Sequence, residues 1–182
     1  MTETMAQHYQ RMAENNLWSN FRLQQACLAL DSEDYHAPRA SFFGSLHATL
    51  VHILIVDQLY LARMSEGARP RGGVRDEADY RDRDKLFRAQ ETCDRELLTF
   101  CYAIDEADLA RVVRFTNSEG VANTDSVAAV LTHLFVHQIH HRGQVHQLLS
   151  TTTARPPQLD EFFLSGDRPR RAADLQRLKL TE

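Results

Sequence analysis

Residues 125–150 read DSVAAVLTHLFVHQIHHRGQVHQLLS and hold five of the chain's nine histidines. Asp125 or Ser126 offers an N-cap oxygen for the orphan N–H groups of a first turn, and no proline follows, so the stretch predicts one long helix. Its apolar stripe runs through Val127, Val130, Leu134, Val145 and Leu148, in the three- and four-residue steps of a core-facing surface. His137 and His141 fall on that stripe. Two imidazoles one turn apart are thus aimed at the core, where an unpartnered polar group costs about 1–3 kcal/mol.

Residues four apart on a helix have Cβ atoms about 6 Å apart, so two neutral rings can converge on one cation at about 2.0–2.1 Å. A lone core histidine is more often simply hydrogen-bonded. A pair at ligand spacing on an apolar stripe reads as half of a metal site, the other ligands coming from elsewhere. His133 lies one turn earlier on the same side, His140 lies on the flank, and His146 projects to the far side and reads as solvated.

The chain has 182 residues, 43% hydrophobic and 25% charged, which suits a single domain (1–182) with a real core. A formal charge of −4 with no long basic run argues against a nucleic-acid partner. Cys27, Cys93 and Cys101 are too few and too dispersed for a disulfide framework or a zinc knuckle, and read as small buried thiols. The opening MTETMAQHYQRMAENN is polar and predicts no signal peptide. The most apolar run, residues 50–61, includes His52 and Asp57 and is too short to span a bilayer. The expectation is a soluble cytoplasmic protein without a membrane partner.

Residues 4–30 carry apolar positions at Met5, Tyr9, Met12, Leu17, Phe21 and Leu28, a helical pattern with a weak spot at Asn15-Asn16. Trp18 reads as a core anchor. Residues 31–39 are turn-rich and end in Pro38-Arg39. A second helix is expected over 41–65, apolar around most of its circumference and carrying His47, His52 and Asp57. Either histidine has a helical phase that could complete the site, and periodicity does not choose between them. Asp57 could be a ligand, a partner that orients a ring, or a salt-bridge residue.

Residues 66–80, with Pro70 and Gly72-Gly73, read as a loop, and 81–104 as a third helix with Leu86, Phe87, Leu97, Leu98 and Phe100 inward. The alternation around residues 117–120 predicts a hairpin-like segment before the last long helix. The proline-marked segment after that helix is expected to dock Leu159, Phe162 and Phe163, with 166–182 a charged mobile tail. Four long helices describe an all-α four-helix bundle, in which metal sites are built from inward side chains on facing helices.

The run THLFVHQIHHRGQVHQLL, together with NNLWSN, LVHILIVDQLYLAR and PPQLDEFF, resembles the DinB-like family of damage-inducible, metal-binding bundles. The likeness covers nearly the whole chain, and HxxxHRGQ is its most specific element. It implies an up-down-down-up bundle, often a homodimer, that binds zinc, nickel or another divalent ion. By position it implies His52, His137 and His141 as the histidine triad. Arg142, Gly143 and Gln144 match the residues after the last ligand, with Gly143 read as a close approach of a neighbouring helix. His140 fits a neighbour that supports a ligand or moves a proton, and His47 receives no role.

Three protein ligands leave positions open on the ion, the arrangement of a catalytic rather than a closed structural metal. Relatives in the wider superfamily include transferases and isomerases that use low-molecular-weight thiols. The expectation is therefore a metal-dependent enzyme that activates a small thiol or water, a thiol S-transferase or hydrolase acting on a small-molecule substrate. The alternatives are a non-catalytic metal-binding stress-response protein and a bundle whose histidines merely fill a polar core. No GxSxG or cysteine–histidine arrangement suggests another chemistry.

Overall fold

The structure is a computed structural model that describes residues 3–65, 77–116 and 119–180. Most of the expected loop after the second helix, with Pro70 and Gly72-Gly73, and the tip of the expected hairpin lie outside those residues.

Four long helices carry the fold: α1 (Met5–Leu28), α3 (Leu46–Met64), α4 (Arg83–Ala103) and α6 (Val127–Leu149). Each start is chemically marked. The Thr4 hydroxyl accepts from the Gln7 amide while Gln7 answers the Thr4 N–H. Ser45, Asp82 and Ser126 cap the other three in the same sense. α3 begins later than residue 41 because Gly44 adopts φ +81°, and a tight turn from Ser41 to Gly44 precedes the Ser45 cap. Two short helices complete the loops: α2 (Ser32–His36), inside the turn-rich stretch, and α5 (Glu106–Ala110). Asp31 and Asp105 cap them. A 3-10 turn spans Glu77–Tyr80.

Pairwise contacts give the helix directions. Gln24 reaches Phe87 and Glu14 reaches Tyr102, so α1 and α4 run antiparallel. Tyr9 bonds Ala128 and Thr132 while Asn16 bonds Arg142, so α1 and α6 run parallel. On α3 and α6, His52 meets His137 while Tyr60 meets His133, an antiparallel pair. The hairpin-like segment is β1 (Val112–Thr116) paired antiparallel with β2 (Ala122–Ser126), with Phe115 opposite Asn123.

The stripe of α6 is buried as its spacing predicts, Val127, Leu134 and Val145 completely. The three cysteines are free and buried. Among the described residues no helix is long and apolar enough to cross a membrane. Asn15-Asn16 does not interrupt α1; both side chains are buried, and Asn16 donates to Asp94 across the core. Within the charged stretch expected to be a mobile tail, α7 (Arg168–Leu178) follows a short turn and packs on α1. Its Leu175 and Leu178 join Leu17, Trp18 and Phe162 in a second small core, and Asp174 accepts from Trp18 Nε1 (3.2 Å) and Arg22 Nε (2.7 Å). Phe162 is buried and Leu159 packs on the main core, whereas Phe163 stays 38% exposed.

Candidate metal centre

α3 and α6 face each other antiparallel, and at one level of that interface they present His52, His137 and His141. One ligand-capable nitrogen from each lies within 4.8 Å of the other two. Ring centroids are 5.1 Å apart for His52–His137, 4.6 Å for His52–His141 and 4.3 Å for His137–His141. Nε2 of His52 and Nε2 of His137 are 3.1 Å apart. Two lone pairs at that distance repel unless a proton or a cation lies between them. Nitrogens on a tetrahedral ion at about 2.05 Å sit about 3.3 Å from each other, so the observed separation is compatible with ligands around an ion as well as with an N–H···N hydrogen bond.

The protonation states fit as well. Burial lowers His52 to about 4, helped by the neighbouring His141. Burial and the surrounding histidines lower His137 to about 3, and burial lowers His141. All three rings are therefore neutral at neutral pH, the form a metal requires. The tautomer of His141 is set by its neighbour: Nδ1–H donates to Gln144 Oε1 at 2.8 Å, which leaves Nε2 as the free lone pair. Gln144 in turn donates to His140 Nε2 at 3.2 Å. His137 Nδ1 is buried without a hydrogen-bond partner.

Phe43 forms the apolar wall of the centre. Its ring stacks on His52 (4.3 Å) and meets His141 edge-on (5.4 Å), held there by the turn that Gly44 closes. Exposed Phe42 lies beside it.

Behind the histidines runs a buried polar network that ties all four long helices together. Asp57 Oδ2 accepts from Gln138 and from Gln90 (2.9 Å). Asp94 accepts from Asn16, Asn20 and Gln90, each at 3.0 Å. Arg142 donates to Asn16, to Gln138 (3.2 Å) and to Asn20 (3.5 Å). Gln138 and Arg142 each follow a histidine of the cluster, about 100° further round α6. Fixing them fixes how the helix is turned, and so where His137 and His141 point. Burial, then the charge of Asp94, raises Asp57 to about 8, and burial raises Asp94 to about 7. Burial lowers Arg142 to about 10.

The family model of the DinB family matches residues 5–171. The chain belongs to the DinB family. No curated protein matches it.

In this DinB chain the structure brings together three of the histidines singled out from the sequence and separates the rest. His133 lies tilted against Tyr60 (5.1 Å), with its ring 6.4 Å from that of His137. His140 is exposed, touching His141 at 4.8 Å. His47 turns away to Tyr35 and His36, with ring separations of 5.4 and 4.6 Å. His146 is half-buried in a shallow cleft with Arg22 rather than freely solvated. Asp57 belongs to the buried network and not to the histidine cluster. Gly143 is exposed, and a Cβ there would meet nothing within 4 Å, so no neighbouring helix of the chain approaches it closely. Sequence reasoning gave no role to Phe43, Gln90, Asp94 or Asn20. Phe43 precedes its helix in a turn, and the other three act through contacts between helices, 33 to 78 residues away, that no local pattern contains.

Proposed function

We propose that His52, His137 and His141 hold one divalent metal ion, zinc or nickel, and that the protein is an enzyme using it to activate a small thiol or water. The observation that carries this reading is the convergence of three neutral imidazoles from two helices within 4.8 Å. A bound divalent ion would lower the pKa of a thiol or water placed against it. The chain supplies the rest. Gln144 holds His141 in one tautomer, and Phe43 keeps water from two of the three rings. His140, joined to His141 through Gln144 and open to solvent, is placed to accept a proton near the centre and pass it outward.

The small-molecule substrate of such an enzyme would be an electrophile that takes the thiol, as in a thiol S-transferase, or that takes water, as in a hydrolase. The cytoplasm belongs to this reading, because reduced small thiols are abundant there and the three cysteines are free. So does a homodimer. Val136 and Ile139 are 60% and 53% exposed on α6, and Gly143 one turn on leaves open space for a second helix.

Charge-transfer spectroscopy of cobalt-substituted protein tests the thiol. Glutathione or cysteine should add a near-ultraviolet band absent from the metal-free protein. An unchanged spectrum with every small thiol tried would rule out the S-transferase and leave water as the activated ligand.

A further inference from the structure

One turn along the same helix pair from the histidine centre, a cleft of about 370 Å³ opens between the C-terminal half of α3, the hairpin and the start of α6. On α3, His52, Tyr60 and Arg63 share one face, being eight and then three residues apart. On α6, His137 and His133 do the same. The cleft is thus a continuation of the groove that holds the three histidines.

Arg63 is the distinctive residue in it. Its guanidinium lies between two aromatic rings, 4.2 Å from the centroid of Phe115 and 5.0 Å from that of Tyr60. Among the described residues one bond holds it, from Nη2 to the Thr116 carbonyl at 3.3 Å. Among the described residues no carboxylate pairs with it. A half-buried arginine stacked in this way is set in place, yet keeps most of its five N–H donors unspent. His133 forms the side of the cleft toward the histidine centre, its ring tilted against Tyr60. Asp125, exposed, is the one acidic side chain among the described residues that line the cleft.

We propose that this cleft is a carboxylate subsite: Arg63 binds the carboxylate of the substrate or thiol whose reacting end lies at the histidines. The proposal rests on the metal reading above. His52 and Arg63 are eleven residues apart, about 16 Å along the helix, and the arginine side chain leans back toward His52, leaving a span on the order of 10 Å. The ligand is therefore extended, with an apolar or aromatic middle that passes His133 and Tyr60 and an anionic far end.

Thiols that carry a carboxylate at a controlled distance test this in cobalt-substituted protein. Mercaptooctanoate spans the gap, mercaptooctanol matches it without the charge, and mercaptopropionate is too short. The acid should bind roughly tenfold or more tightly than the alcohol, the scale of one charge-assisted hydrogen bond. Arg63→Met, which keeps an unbranched side chain between Tyr60 and Phe115, should erase that preference and leave mercaptopropionate binding unchanged. Asp125→Asn should strengthen the preference by removing the one opposing charge. Equal affinity of acid and alcohol for the unsubstituted protein overturns the proposal, as does a preference that survives Arg63→Met. Loss of mercaptopropionate in that variant also overturns it, because the damage then lies at the histidines. A second readout needs no metal: phenylpropionate added to metal-free protein should shift the Arg63 Nε nuclear magnetic resonance. If that shift occurs while no metal binds, the subsite stands and the metal reading falls. If metal binds while neither the shift nor the acid preference occurs, the subsite falls alone.

Discussion

Replacing Asp57 by asparagine should change how stability depends on pH, by an amount the buried network sets. Asp57 is 2% exposed, its Oδ1 has no partner, and Oδ2 accepts from two amides. Two carboxyls, Asp57 and Asp94, share the buried network behind the histidines with the guanidinium of Arg142. Burial raises Asp57 from 3.8 to about 8. A carboxyl whose folded pKa lies above its unfolded value keeps more protons when folded, so its contribution is present at low pH and is lost as pH rises through the folded value. The histidines act in the opposite sense, but only below about 6.5, where the unfolded rings take up protons. The window from pH 6.5 to 8.5 therefore excludes the histidines, and Asp94, raised to about 7, adds a smaller loss of its own there in both proteins. Integrating the slope of 1.36 kcal/mol per pH unit over it, with half-protonation near 8, gives a loss of about 2 kcal/mol from Asp57 alone. Asparagine is close to isosteric and uncharged throughout, so the variant should lose about 2 kcal/mol less over the same window. Urea unfolding of metal-free protein, followed through the fully buried Trp18, measures both. Parallel pH profiles for the two proteins, or a wild-type stability that rises across the window, would refute the assignment of a buried protonated carboxyl.

The other predictions concern the centre and the tail. His52→Ala, His137→Ala and His141→Ala should each abolish retention of zinc, while His47→Ala and His146→Ala keep it, as metal analysis after dialysis will show; retention by His52→Ala with loss in His47→Ala would reverse the α3 assignment. Gln144→Ala frees the His141 tautomer and should weaken metal affinity by roughly tenfold or more in a chelator competition, since such supporting bonds are typically worth about that much. An affinity unchanged by the substitution would show that Gln144 does not orient the ring. Asp174→Ala removes the shared acceptor of Trp18 Nε1 and Arg22 and should destabilise the protein by about 1–3 kcal/mol in urea. A smaller loss would mean that α7 adds little to the fold.

The last helix was legible because its burial follows one face: Val127, Leu134 and Val145 carry the same stripe as His137 and His141. The choice between His47 and His52 was not, since α3 is apolar around most of its surface and helical phase then loses its meaning. Likeness to the family singled out His52, and the structure brings it to the other two. Asn15-Asn16 read as a flaw in α1 because propensity is local, whereas Asn16 is satisfied by Asp94 and Arg142, 78 and 126 residues away. The charged tail hid α7 for a related reason. Only Arg171, Leu175 and Leu178 of that helix are buried, too narrow a stripe to stand out among its charges. Gly143 read as a point of close helix approach, but among the described residues nothing comes within 4 Å of a Cβ placed there. Cα spacing and apolar pattern thus locate a helix face, while the partners across the core are set by contacts that no local pattern contains.

The central claim is that three imidazoles at this spacing hold an ion. Untagged protein is stripped with chelator, incubated with excess zinc, dialysed, and assayed for metal per chain. The account predicts one equivalent of zinc. Protein that keeps its fold through the same treatment and retains no zinc, and none when nickel or cobalt replaces it, would contradict the account.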